Sequence, residues 1–348
     1  MRADLALIGF GNVGRRFARL LEEQSDELAF NYDLSCRVVA TATKRHGSEA
    51  GGKSCPDAFA AITHLAGSDA DLRIVVETTT LDINRGEPAI SHARAAIAAG
   101  CHVITANKGP VAFAYEALRD EAAAASVSFL FEGAVLDGIP VFNMVRETMP
   151  GIRITGFEGV VNATTNHILT EMERGAPFDE ALARMQADGI AEADASLDVD
   201  GWDAAAKTAA LANVLMGARI TPYDVERTGI NQSSGDLARA ARARGQRLKL
   251  VASARRTASG SLEARVEPRE LPLDHLLAGL DGSANALILE TDLLDRVAIC
   301  QLSGNLTQTA YGLLSDLISI ARTYGPTDPR THEPTDPRPH GPTDPSNA

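Results

Sequence analysis

Lysine is scarce in this 348-residue chain: Lys44, Lys53, Lys108, Lys207 and Lys249 are the only ones among 33 basic residues. A guanidinium keeps its proton near neutral pH, whereas an amine can be shifted by its surroundings, so each lysine is a candidate for chemistry. Codon bias or a salt-adapted host would produce the same skew without function. Positive charge is short overall, with a net charge of -13 and no Lys/Arg-rich run. Phosphate backbones need basic patches, which argues against a nucleic-acid partner and for a small metabolite. Cysteine is limited to Cys36, Cys55, Cys101 and Cys300, far apart and without CxxC spacing. That signals neither a zinc site nor a disulfide framework, and buried free thiols are expected. Long apolar runs are missing too. No stretch approaches the ~20 residues needed to cross a bilayer, and no charged-then-apolar leader precedes the first strand, so a cytoplasmic, membrane-free location is expected.

What is present reads as globular. At 45% hydrophobic and 23% charged residues, the chain is long enough for two domains. Leu5 to Ile8 is an apolar strand pattern ending in Gly9-Phe-Gly11-Asn12-Val13-Gly14, followed by helical spacing through Phe17, Leu20 and Leu21. Strand, glycine turn and helix in that order allow close approach of a pyrophosphate to free helix N-terminal amides. An ordinary glycine turn is the plain alternative. A second strand, Arg37 to Thr43, should end where the adenosine ribose is read. Instead of an acidic residue it is followed by Lys44-Arg45, which suits the 2'-phosphate of NADP unless they simply face solvent.

Leu72 to Val76 reads as a third strand, ending in Glu77-Thr78-Thr79-Thr80, whose hydroxyls can face a cofactor crevice or act as caps. A helix from about Pro88 to Ala99 and a strand from Cys101 to Thr105 lead to Asn107-Lys108-Gly109-Pro110. Lys108 therefore falls at the carboxyl end of a strand, where open parallel sheets bind ligands. A helix, Val111 to Ala125, and a fifth strand, Val127 to Phe131, complete an α/β, Rossmann-type doubly wound parallel sheet.

The pattern then changes. Glu132 to Pro140 is a glycine-rich bend, Ile152 to Val161 a longer strand, and Thr164 or Thr165 is expected to cap the helix that follows. The stretch Gly189 to Lys207 gathers Glu192, Asp194, Asp198, Asp200 and Asp203 ahead of a single amine. Gly201 should break the chain before a helix from Trp202 to Met216, placing Asp203 and Lys207 four apart on one face. Such a pair can hold a small zwitterion and move a proton at a reacting oxygen, or simply form an exposed ion pair. Strand-like runs at Leu248 to Ala254, Leu262 to Val266, Ala286 to Thr291 and Val297 to Leu302 imply a second α+β domain with its own sheet. After Ser303-Gly304 comes a last helix, Thr307 to Thr323. The expected division is 1–134 for nucleotide, 135–304 for substrate and dimerisation, 305–324 for a helix returning to the first domain, and 325–348 for a disordered Pro-Thr-Asp-Pro repeat tail.

These segments resemble the homoserine dehydrogenases. The family's Asp-x-x-Gly-x-Asp-x-x-x-Lys signature is met by Asp198, Gly201, Asp203 and Lys207, and the Gly9–Gly14, Asn107–Ala112, Glu132–Pro140, Gly159–Leu169 and Ser303-Gly304 segments follow the family in order. The resemblance implies NAD(P)-dependent interconversion of L-aspartate 4-semialdehyde and L-homoserine, on the route to threonine, methionine and isoleucine, by a homodimer. It implies Lys207 as proton donor and acceptor and Lys108 as a second essential amine near substrate and nicotinamide. Glu192, Asp198 and Asp203 would bind the amino acid, while Asn12, Val13, Thr78 and Gly304 would line the nucleotide. It further implies a structural monovalent cation such as Na+, held largely by carbonyl oxygens of Glu132, Val135, Asp137 and Ile139. Ala195, Ile190 and Ala163 depart from the family's usual proline, aromatic and glycine, at loop positions rather than reacting groups. Another NAD(P)-dependent amino-acid or semialdehyde oxidoreductase is the competing enzyme reading. Thioester chemistry is disfavoured because no cysteine lies in the acidic stretch, and a non-catalytic NADP sensor would not need the lysines and acids together.

Overall fold

The computed structural model describes residues 1–43, 52–187, 195–257 and 259–325. Lys44, Arg45, Glu192 and the tail from 326 onward lie outside the described residues. Among the described residues, the first sheet has six parallel strands: β1 (Arg2–Ile8), β2 (Ser35–Ala42), β3 (Lys53–Cys55), β4 (Leu72–Glu77), β5 (His102–Thr105) and β6 (Phe129–Leu130), in the order β3-β2-β1-β4-β5-β6. Helices α1 (Asn12–Glu23), α2 (Ser25–Tyr32), α3 (Ala58–Ala66), α4 (Ala89–Ala98) and α5 (Lys108–Ala124) are interspersed with these strands. The central strand β1 is paired on both edges and apolar on both faces, with Leu5, Ala6 and Leu7 fully buried, as a doubly covered parallel strand requires. Strand order reverses between β1 and β4, which is where such sheets open a crevice for ligand.

The fold class follows the sequence pattern, but two elements do not. Leu72 begins the fourth strand, not the third, because Lys53–Cys55 adds a short edge strand beside β2 and α3 follows it. Lys108 is the first residue of α5, which starts three residues before the expected Val111, because Asn107 caps the helix by accepting from Gly109 N at 2.8 Å.

The second sheet contains β7 (Ile154–Val160), β8 (Glu226–Arg227), β9 (Gln246–Arg256), β10 (Leu262–Pro272), β11 (Asn285–Thr291) and β12 (Arg296–Gln301), ordered β12-β11-β7-β9-β10-β8. It is antiparallel except where β8 joins β10. With it go α6 (Val141–Thr148), α7 (Ala163–Glu173), α8 (Phe178–Ala187), the short α9 (Ser196–Val199), α10 (Trp202–Met216) and α11 (Ser234–Ala243). The helix α12 (Leu306–Tyr324) runs back to the first sheet, burying Leu313, Leu317 and Ile320 with Phe17 of α1 and Leu5 of β1. The cap of α7 is Asn162, whose Oδ1 accepts from Thr165 N at 2.8 Å, and not Thr164 or Thr165. Of the four free cysteines, Cys55 and Cys101 are buried as expected, Cys36 is half-buried, and Cys300 is exposed on the edge strand β12, contrary to that expectation. No helix among the described residues is long and apolar enough to cross a membrane.

Candidate active site

The turns after β1, β4 and β5 lock together at the crevice. Gly9 has φ of +84°, and a Cβ there would fall 2.7 Å from the Thr78 carbonyl. A Cβ at Gly14 would strike the Gly9 carbonyl at 2.6 Å, but one at Gly11 would meet nothing within 4 Å. The protein's own packing thus accounts for Gly9 and Gly14. The open space at Gly11 lies beside Asn12 and Val13, where α1 begins without a side-chain cap, and free amides at a helix N-terminus can receive an anion.

The threonine hydroxyls expected to face a cofactor are engaged within the protein. Thr78 Oγ1 donates to the Gly9 carbonyl at 2.7 Å, and the Thr79 hydroxyl donates to the buried carboxylate of Glu77. Glu77 also accepts from Thr79 N at 3.2 Å and Thr105 Oγ1 at 3.2 Å. Asn107 Nδ2 donates to the Thr79 carbonyl at 3.0 Å. The Glu77 and Asn107 side chains therefore fix the loop after β4 against the start of α5, and so fix where Lys108 emerges.

Lys207 and Asp203 come from α10, which follows Gly201 in a left-handed turn of φ +80°. One helical turn separates them, which puts both on the same face. Small buried residues on α10, among them Ala204, Ala205 and Ala209, let it pack closely on α5. Where α5 breaks from helical geometry at Ala114, Asn213 of α10 donates to the Val111 and Ala112 carbonyls, each at 3.3 Å. That packing brings two amines to one carboxylate. Lys108 Nζ lies 2.9 Å from Asp203 Oδ1 and Lys207 Nζ 3.1 Å from Asp203 Oδ2, with side-chain exposures of 18, 16 and 15% for Lys108, Lys207 and Asp203. Lys207 also donates to the Val161 carbonyl at 2.7 Å.

Asn162 completes the cluster and escaped the sequence reading. Its Nδ2 donates to Asp203 Oδ2 at 2.9 Å and to Asp198 Oδ1 at 2.7 Å, while its Oδ1 caps α7. The electrostatics follow from these neighbours. Burial acts to raise Asp203, but the Lys108 and Lys207 charges hold its carboxyl well below the usual carboxylate range. Burial acts to lower Lys207, yet Asp203, then Asp137 and Asp198, push its amine above the ordinary lysine value. Asp198 is raised, first by burial and then by repulsion from Asp203, against the opposing pull of Asn162.

The glycine-rich bend Glu132–Pro140 packs on the first turns of α12: a Cβ at Gly138 would strike the Gln308 carbonyl at 2.3 Å. Burial pushes Glu132 up to about 7, moderated by the amides of Asn143 and Phe142, from which its carboxylate accepts at 2.6 and 2.9 Å at the start of α6. Its side chain is thereby directed at a helix N-terminus. Among the described residues no group of three or more His, Cys, Asp or Glu is placed to hold a metal ion. A set of main-chain carbonyls at Glu132, Val135, Asp137 and Ile139 would be a donor set suited to a hard monovalent cation rather than a transition metal. Asp137 takes a left-handed φ of +53°, with Oδ1 accepting from Thr309 Oγ1 at 3.0 Å and Oδ2 toward Gly304, where a Cβ would lie 3.2 Å away.

Comparison with known proteins identifies the family. The family model described as homoserine dehydrogenase matches residues 140–318, and that described as homoserine dehydrogenase, NAD binding domain, matches residues 9–132. An NAD(+)-dependent homoserine dehydrogenase of Pseudomonas canavaninivorans is 38% identical over 335 residues, covering 91% of this chain and 95% of the relative. A homoserine dehydrogenase of Methanocaldococcus jannaschii is 34% identical over 91% of this chain and 98% of its own length. The crystal structure of a homoserine dehydrogenase from Thiobacillus denitrificans superimposes with a TM-score of 0.84 at 32% identity, over 93% of this chain and 74% of that one. The chain belongs to the homoserine dehydrogenase family, NAD(P)-dependent oxidoreductases that act on a CH–OH group.

Proposed function

We propose that this chain interconverts L-aspartate 4-semialdehyde and L-homoserine, with Lys207 handling the proton at the reacting oxygen. The observation that carries the assignment of roles is the sharing of Asp203 by Lys108 and Lys207. When bound, the dinucleotide supplies or accepts the hydride. Asp203 orients both amines and keeps that of Lys207 charged; Lys207 then donates to the nascent alkoxide in reduction and takes the proton back in oxidation. Lys108, at the carboxyl end of β5, faces the junction of substrate and nicotinamide. Asp198 and Asp203 would supply acidic contacts for the substrate ammonium, a role the sequence resemblance also gives to Glu192. Residues 1–134 would carry the nucleotide and 135–304 the substrate, with 305–324 closing over the first domain.

The Lys44-Arg45 pair following β2 favours NADP. NAD is the second reading, favoured by the name of the Pseudomonas relative. The exposed Leu293, Leu294 and Leu302 beside edge strand β12 support self-association as a homodimer, which sedimentation of the purified chain tests directly. The reaction would lie on the route to threonine, methionine and isoleucine, in the cytoplasm where free dinucleotide is available. The decisive assay follows reduced-nicotinamide absorbance with L-homoserine and with aspartate semialdehyde, using NAD and NADP in turn. No turnover of either substrate with either cofactor excludes this function.

A further inference from the structure

The second oxygen of Asp137 is left over by the contacts described so far. Oδ1 is held by Thr309, but Oδ2 accepts no hydrogen bond among the described residues and faces the glycine at 304. Asp137 holds this position with a left-handed φ of +53°, which is uncommon for a non-glycine residue.

Its position along the crevice identifies what it would meet. Thr309 stands in the first turn of α12, and that turn is tied to the glycine-loop helix by Arg16 Nε donating to Thr307 Oγ1 at 3.0 Å. One side of Asp137 therefore leads to the α1 N-terminus, where the pyrophosphate belongs. Lys207 is also within electrostatic reach, since its amine feels the Asp137 charge although the two form no ion pair. Between the pyrophosphate of a dinucleotide and its reacting ring there is one chemical unit, a ribose with two hydroxyl donors. A carboxylate oxygen is an acceptor only.

We propose that Asp137 Oδ2 accepts a hydrogen bond from a hydroxyl of the nicotinamide-side ribose, making Asp137 a cofactor-binding residue through its side chain, distinct from any role of its carbonyl. The inference rests on the dinucleotide lying along the crevice as described under Proposed function. It assigns to this carboxylate the placement of the ring opposite Lys207, while the glycine loop anchors the phosphates.

The test compares ADP-ribose, which carries that ribose, with ADP, which ends at the diphosphate, by calorimetric titration of the full chain. A charge-assisted hydrogen bond of this type should make ADP-ribose bind about ten-fold more tightly than ADP. Asp137→Gly keeps the left-handed turn and removes the acceptor. It should bring the ratio to within about two-fold while leaving ADP affinity unchanged. Asp137→Asn also tolerates the turn and keeps a neutral acceptor, so its ratio should lie between the two. A merely structural role would weaken ADP and ADP-ribose together. That outcome, an unchanged ratio in Asp137→Gly, or no ADP-ribose preference in the wild type overturns the proposal. Homoserine oxidation by the wild type is measured separately, so loss of the functional reading is distinguishable from loss of the ribose contact.

Discussion

Lys108 and Lys207, from two helices packed against each other, end on the two oxygens of one carboxylate, Asp203, at 2.9 and 3.1 Å. Two ammonium groups so close would repel each other without it. The arrangement leaves Lys207 charged before reduction and able to surrender its proton during it. Lys207→Ala should therefore lower turnover ~100-fold or more, as expected for loss of a positioned acid–base group. Lys207→Arg should not restore it, since a guanidinium keeps its proton. Dinucleotide affinity, read by fluorescence titration, should stay near that of the wild type. Retained turnover in either variant removes Lys207 from the proton transfer.

Replacing the shared carboxylate tests the electrostatic half of the same idea. Asp203 is the foremost charge raising the Lys207 amine, so Asp203→Asn should lower the Lys207 pKa. Semialdehyde reduction needs the ammonium form and is lost as pH rises through that pKa, so the alkaline loss of activity should move to lower pH in Asp203→Asn. The linked stability has two signs. Asp203 is depressed, so its contribution is present above the unfolded carboxylate value and fades as pH falls through the folded one. Lys207 is raised, so its contribution is present below the unfolded lysine value and fades as pH rises through the folded one. Coincident pH–rate profiles for the two proteins would contradict the assignment.

Much of this site was legible because its residues announce themselves locally. Gly9–Gly14 sits between a strand and a helix, and Asp203 and Lys207 have helical spacing after a glycine. Lys108 comes three residues after the end of a strand. What stayed hidden depends on tertiary contacts. Asn162 reads as one polar residue among several before α7, and its two hydrogen bonds, to Asp198 of α9 and Asp203 of α10, exist only after those helices fold against the end of β7. The Thr78 and Thr79 hydroxyls could not be assigned to cofactor or protein until their distances to Gly9 and Glu77 were known. The strand at Lys53–Cys55 and helix at Ala58–Ala66 were overlooked because three polar-flanked residues carry no alternation and a short alanine-rich run carries little periodicity.

Asn162 combines a structural and an electrostatic task, and two substitutions separate them. Serine is an effective helix cap, so Asn162→Ser should keep most of the stability while losing the amide donors that join Asp198 to Asp203. Asn162→Ala loses both and should cost about 1–2 kcal/mol in urea unfolding. Both should lower turnover about ten-fold or more, because a donor hydrogen-bonded to buried carboxylates is removed. Full activity in Asn162→Ser would reduce the residue to a cap.

The bend from Glu132 to Ile139 is proposed to hold a structural monovalent cation through main-chain carbonyls. Because such an ion would bind the folded chain alone, replacing choline by Na+ at constant ionic strength should raise the melting temperature in proportion to the logarithm of its concentration once above Kd. Gly138→Ala should blunt that response, since a Cβ there collides with the Gln308 carbonyl and must displace the bend. Identical melting temperatures in Na+, K+ and choline would dismiss the cation.

Lys249 offers a test of burial away from the site. The residue is 1% exposed, and its amine donates to Asn166 Oδ1 at 2.9 Å and to the Leu280 carbonyl. Burial foremost, with repulsion from Arg247, pushes its pKa down to about 8. Below that pH the amine is protonated in both folded and unfolded chains, and the cost of burying its charge is fully present. Between about 8 and the ordinary lysine value of 10.5 the unfolded chain holds a proton that the folded chain has released, so rising pH favours the folded state. Lys249→Met has similar length and no such titration, although it leaves Asn166 Oδ1 without its donor at every pH. The stability of the wild type minus that of Lys249→Met, measured by urea unfolding, should therefore climb from pH 8 to pH 10. A difference that stays flat over that interval would show that the two acceptors hold the amine charged despite its burial.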